Sequence, residues 1–175
     1  TGPATTDAVT VLERVDAGID ERAEPQSYPD GVAFLHGGPG TQGEVIIRDC
    51  RVHWRNSAAT RYTNIAGAVT IENCSFINNQ VANIRFAAGE HPTKTSSARN
   101  CYVKVDGTWD GVPAAVQIES SNDVESGSVF EGLVIEWSQD SGRGVFAVPG
   151  FQDHGAFTIR DCVVRNDGAN TPTVS

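Results

Sequence analysis

An arginine near carboxylates is the combination through which this chain could do chemistry. Arg85 lies in Ala82–Ala87 (ANIRFA), Gln117 and Glu119 lie in Ala114–Glu119 (AAVQIE), and Glu90 and His91 follow Arg85 within a few residues. Lyase cleavage of an acidic polysaccharide needs clustered Asp or Glu to hold Ca²⁺, with an Arg or Lys poised as base beside it. One arginine with scattered carboxylates falls short of such a cage, so the set suits a sugar contact or a solvated ion pair. Arg85 and Glu119 are the catalytic candidates, and Arg85, Gln117 and Trp109 are the ligand-binding ones. Hydrolysis of a glycosidic bond needs two or three carboxylates converging on that bond. Asp106, Asp110 and Glu119 lie in one stretch and Asp140 and Asp153 in another, at no recognisable motif spacing, and they read as loop charges that hydrate an acidic surface.

Other reactive side chains read as architecture. His53, His91 and His154 occur singly, each remote in sequence from a second ligand, so neither a metal nor any other cofactor is expected. His36-Gly-Gly-Pro-Gly40 has the look of an oxyanion-hole segment, but the nucleophile elbow such chemistry requires is missing, and the segment reads as a Gly-rich loop leaving a strand. Trp54 and Trp137 fall at nearly equivalent places late in a strand and are expected to cover the core edge, whereas Trp109, in DGTWDGV, could form a stacking platform for a sugar ring. Asn73-Cys-Ser75 is a formal glycosylation sequon set at a tight corner that would leave no room for a glycan.

These residues are positioned by a repeat. Gly67–Asn79 (GAVTIENCSFINN) returns as Gly43–Asn56 (GEVIIRDCRVHWRN) and Gly155–Asp167 (GAFTIRDCVVRND), with degraded copies at Ser97–Asp106, Gly127–Trp137 and Ala8–Val15. Each copy reads apolar-x-apolar, a turn residue, a Cys or its substitute, then x-apolar, the pattern of two short strands hinged at one corner. Asp49, Asn73, Asn100 and Asp161 take the corner, where left-handed backbone is expected, and their stacked side chains are expected to bond adjacent layers. Arg14 and Gly132 are assigned the Cys place in the two copies that lack Cys, and Glu13 the turn place in the first. Cys50, Cys74, Cys101 and Cys162 take the same place in successive repeats and are expected to stack as free, buried thiols; whole-repeat spacing lacks the close pair a zinc site uses, and a disulfide between adjacent layers is the alternative that strand spacing allows. A further strand per repeat is read at Gly31–Leu35, Ala82–Ala87, Ala114–Glu119 and Gly144–Val148, giving three faces: this strand first, the VTIE-like strand second and the CSFI-like strand third.

The whole of 1–175 therefore reads as one domain: 1–30 an irregular first coil with a Pro-rich loop, 31–168 regular coils, and 169–175 a polar tail. The pattern VTIENCSFINN resembles the repeat of right-handed parallel β-helix proteins of the pectin-lyase-like superfamily, and the order of Arg85, CYVKVD and the final GAFTIRDC resembles uncharacterised haloarchaeal members. The resemblance implies an all-β, single-stranded right-handed parallel β-helix, a solenoid of about six coils and about 29 Å long at parallel-strand spacing. It says little about function, since that superfamily spans lyases, glycosidases, tailspikes, adhesins and surface proteins.

Charge narrows the partners. The net charge is −9, with Lys94 and Lys104 the only lysines, a balance that disfavours a phosphate-backbone partner and suggests salt adaptation. No apolar run reaches transmembrane length and no signal peptide opens the chain, so membrane insertion is not expected and a targeting segment is absent or removed. The expected role is non-enzymatic: a structural or glycan-contacting module of an extracellular, cell-surface or virion protein, meeting a polysaccharide or surface glycan, self-associating, or joined to further domains. The alternative is a polysaccharide lyase or glycoside hydrolase working in a groove on the first face.

Overall fold

In a computed structural model of the chain, the structure describes residues 9–18, 34–37, 43–55, 57–65, 67–88, 94–106, 113–118, 127–138, 142–148 and 157–167. Every element among these residues is a β-strand. β1 (Val9–Glu13), β2 (Asp16–Gly18) and β3 (Phe34–Gly37) visit three sheets in turn, and β4 (Glu44–Arg48), β5 (Arg51–His53) and β6 (Thr60–Ile65) visit them again in the same order. β7 (Ala68–Glu72), β8 (Ser75–Ile77) and β9 (Ala82–Ala88) form a third tier, and β10 (Ser97–Arg99), β11 (Tyr102–Val105) and β12 (Ala114–Ile118) a fourth. β13 (Val129–Glu131), β14 (Val134–Trp137) and β15 (Gly144–Ala147) follow, then β16 (Thr158–Arg160) and β17 (Val163–Asn166). All pairing is parallel: the second face runs β1-β4-β7-β10-β13-β16, the third β2-β5-β8-β11-β14-β17 and the first β3-β6-β9-β12-β15.

The corner between the second and third faces is where the repeat acts most directly. Asp49, Asn73, Asn100 and Asp161 have φ of 54°, 54°, 51° and 55°, the left-handed region Asn and Asp tolerate best among residues with a Cβ. Arg14 (56°) and Gly132 (64°) complete that column, which corrects their assignment to the Cys place. Val15 and Leu133 hold the Cys place instead: Val15 O accepts from Arg51 N and Leu133 O from Val163 N, as Cys50 O accepts from Ser75 N. A Cβ on residue 132 would stand 2.7 Å from Asn100 Oδ1, so glycine there meets both the backbone angle and the crowding. The corner is tied by backbone bonds such as Asn73 N to Arg99 O (3.1 Å), while the Asp and Asn side chains are exposed. Among the described residues the expected side-chain bonds between tiers are not formed, and the backbone amide ladder holds the corner.

Inward positions stack by type. Ile47, Ile71, Ala98 and Phe130 line the second face, Val52, Phe76, Val103 and Ile135 the third, and Ile84, Val116 and Phe146 the first, all buried. Phe130 meets Phe146 edge to face at 6.1 Å across the interior, the preferred aromatic geometry. Burying each such side chain contributes roughly 1.5–3 kcal/mol. Cys50, Cys74 and Cys101 are free and buried, and Cys162 is partly buried, which agrees with thiols serving as small hydrophobes.

Two features of the first face depart from the sequence reading. β6, TRYTNI, was hidden because Thr60 occupies an inward position between Phe34 and Ile84, where apolar periodicity is the signal. Thr60 is fully buried and its Oγ1 accepts Arg85 N–H at 3.2 Å, so its hydroxyl is satisfied within the sheet. The strand expected at Gly31–Leu35 is observed at Phe34–Gly37, and residues 31–33 lie outside the described residues.

Candidate functional site

The first face was expected to carry the site, and its register brings part of the candidate set together. Arg85 pairs in register with Gln117 on one side and Arg61 on the other, and Gln117 pairs with Ala147. Arg85 is half-buried, whereas Gln117 is only 1% exposed. Gln117 Oε1 accepts from Arg143 Nη1 at 3.0 Å, so the amide carbonyl intended for a ligand is already engaged. All five residues of β12 and all four of β15 are buried, so these strands have no open row of side chains, unlike the alternating strands of the other faces. Glu119, Trp109, Glu90 and His91 lie outside the described residues, as do Asp110, Asp140, Asp153 and His154.

The remaining described candidates are engaged inside the protein. Asp106 Oδ2 lies 3.6 Å from Lys104 Nζ, and its backbone N–H donates to Asn78 Oδ1 at 3.0 Å. His53 Nε2 lies 2.9 Å from Asp16 Oδ1 on the neighbouring strand, a partner its isolation in sequence did not reveal. Trp54 and Trp137 are both buried at matching corner positions, as core-edge packing requires. Among the described residues, no three His, Cys, Asp or Glu side chains group closely enough to hold a metal ion.

Three polar constellations escaped the sequence reading. The residue before each corner forms a column across the second face: Glu13, Arg48, Glu72, Arg99, Glu131, Arg160. Charge alternates at every step. Arg48 Nη2 reaches Glu13 Oε2 at 3.1 Å, and Glu131 Oε2 sits 3.4 Å from Arg99 Nε and 3.0 Å from Arg160 Nη2. The hydrogen bond from Arg160 holds the Glu131 carboxyl below its ordinary range and raises the guanidinium further. The signal lay beside the corner residues, in the alternation E-R, R-D, E-N, R-N, E-G, R-D.

On the third face, Tyr102 donates to Glu136 Oε2 at 2.7 Å and Arg165 Nη1 donates to Glu136 Oε1 at 3.2 Å. Desolvation, then the Glu136 hydrogen bond, push the Tyr102 phenol up to about 12, and the Tyr102 hydrogen bond holds Glu136 low.

The third constellation is an amide cluster. Asn79 Nδ2 donates to Asn83 Oδ1 at 2.7 Å, to Val52 O at 3.2 Å and to Ile77 O at 3.3 Å, while Asn79 Oδ1 accepts from Arg55 N at 3.1 Å. Asn79 and Asn83 are fully buried, and they satisfy backbone groups where the chain leaves the third face. Its signal was Asn78, Asn79 and Asn83 within one short stretch.

Three of the four thiols are held in the protonated form, while the hydrogen bond with Cys74 lowers Cys101. Each Sγ donates to the carbonyl two residues back, at 3.2 Å for Cys50, Cys74 and Cys101. Burial pushes the Cys50 and Cys162 thiols up, and the neighbouring Cys101 thiol, then burial, raises Cys74, which keeps these sulfurs protonated and poorly nucleophilic.

No family model, curated protein or solved structure matches the chain.

Proposed function

We propose that the chain is a structural module: a single-stranded right-handed parallel β-helix of the pectin-lyase-like kind, serving as a rigid, charged column in an extracellular, cell-surface or virion protein. The observation that carries this reading is the Glu–Arg column, which spans all six strands of the second face. Opposite charges meet between tiers at Glu13–Arg48, Arg99–Glu131 and Glu131–Arg160 and so spend their charge within the protein, whereas a binding or catalytic site holds charge in reserve for a ligand. The cyclic visit to three parallel sheets supports the helical winding, since each tier rests only on its neighbours. Glycan contact through the first face at half-buried Arg85 is the subsidiary role in this reading.

A screen against uronate-containing polysaccharides, followed by the appearance of unsaturated or reducing ends, tests it. The expected result is no turnover. Turnover that disappears in Arg85→Ala would establish the lyase or hydrolase alternative in its place.

A further inference from the structure

The two ends of the stack are built to complement each other. β16 and β17 form one end of the second and third faces, and β1 and β2 form the other. At the first of these ends Ile159, Val163 and Val164 are 36%, 48% and 45% exposed, although Ile159 continues the inward column above Phe130 and Val164 the one above Ile135. At the opposite end Val9 and Val11 are 50% and 46% exposed, and Leu12 and Ala17 begin the same two inward columns. Among the described residues, β1 and β2 at one end and β16 and β17 at the other each pair along a single edge, which leaves the opposite edge for parallel pairing.

The charge columns decide what fits there. The pre-corner column opens with Glu13 and closes with Arg160, so one more step in the same register sets glutamate against arginine again. The exposed corner column opens with Arg14 and closes with Asp161, opposite charges once more. We infer that a second copy of this chain docks head to tail, laying its β1 and β2 along β16 and β17.

Continuing the observed register puts the copy's Leu12 over Ile159, Glu13 over Arg160, Arg14 over Asp161 and Ala17 over Val164. Apolar surface is covered, both charge columns continue without a like-charge contact, and the strand edges pair. The first face has five strands to the others' six, so the joint forms through the second and third faces. The contact is heterologous, so repetition gives linear assemblies and not a closed dimer. The inference deepens the structural-module reading and rests on it for the idea of a column that extends.

Sedimentation equilibrium on the 175-residue chain in about 0.1 M salt, which curtails repulsion between chains of net charge −9, over concentrations rising towards the millimolar, tests the joint. Mass is expected to grow with concentration past the dimer. Arg14→Asp and Asp161→Arg each set like charges across the joint and are expected to weaken association by more than about tenfold. Both substitutions sit on exposed corners, and circular dichroism matching the parent verifies that each variant is folded. An equimolar mixture of the two restores opposite charges at every joint and regains the parental assembly. A parent that stays monomeric overturns the inference, as does association indifferent to either substitution, or a mixture that fails to recover. None of these outcomes bears on the polysaccharide screen, so the joint and the structural-module reading fail separately.

Discussion

At the scale of single residues, the corner column concentrates the demand on the sequence. Six chain positions adopt left-handed backbone there, and four of them are Asn or Asp. Asn73 is the cleanest to test, because its side chain is exposed and its contribution is chiefly conformational. Asn73→Ala is expected to destabilise the fold by about 1–2 kcal/mol, the cost of a Cβ in left-handed backbone without a short polar side chain to offset it. Asn73→Gly is expected to sit close to the parent, since the relief of strain is opposed by the larger entropy of the unfolded chain. Urea unfolding of the three proteins checks the order. An alanine variant as stable as the glycine one would mean that backbone strain does not select the corner residue. Arg14 at the same angle carries no such preference, and its place in the opposing charge pattern accounts for it.

Strands and sheets were legible to the degree that their inward residues are apolar. The second and third faces could be read from VTIE and CSFI because Ile71 and Phe76 alternate with exposed or half-exposed neighbours. β6 was not, because buried Thr60 spends its hydroxyl on Arg85 N–H and leaves no apolar mark. The candidate site was legible only in part: the sequence placed Arg85 and Gln117 side by side, but the burial of Gln117 depends on Arg143, 26 residues further on. The charge column could have been read from residues adjacent to the corners, yet its meaning depends on register, which single strands do not carry.

Glu131 in that column and Glu136 on the third face give the sheets a defined acid response. Glu131 and Glu136 have folded values held below the ordinary 4.5, by Arg160 and Tyr102 respectively. A depressed carboxylate stabilises the fold above its unfolded value and loses that contribution as pH falls through the folded value. The melting temperature is therefore expected to hold from neutrality to about pH 5 and to fall below it. A Glu131→Gln/Glu136→Gln variant should melt lower at neutral pH and show a shallower acid limb. Thermal melts across that range decide it, and an unchanged acid slope would place the responsible carboxylates elsewhere.

For the whole molecule, the column's Glu13, Glu72 and Glu131 cancel Arg48, Arg99 and Arg160, so the net charge of −9 arises from other positions. Two kinds of electrostatic energy then compete as salt is added. Attractions in the column include contacts of 3.0–3.4 Å, well inside the Debye length of about 10 Å near 0.1 M salt and comparable to the length of about 3 Å near 1 M. Repulsion among the excess carboxylates acts over longer distances and is already curtailed near 0.1 M, where the Debye length is about 10 Å. Salt thus removes the unfavourable part first, and the melting temperature in sodium chloride is expected to rise from about 0.01 M to about 1 M. Melts should be run at low protein concentration, so that mass action at the end-to-end joint does not mimic the effect. A steady fall with salt would show that contact pairs outweigh self-repulsion, and would remove the salt-adapted reading of the composition. A rise that persists in the Asp161→Arg variant, whose joint is blocked, would assign the effect to the folded chain itself and not to its assembly.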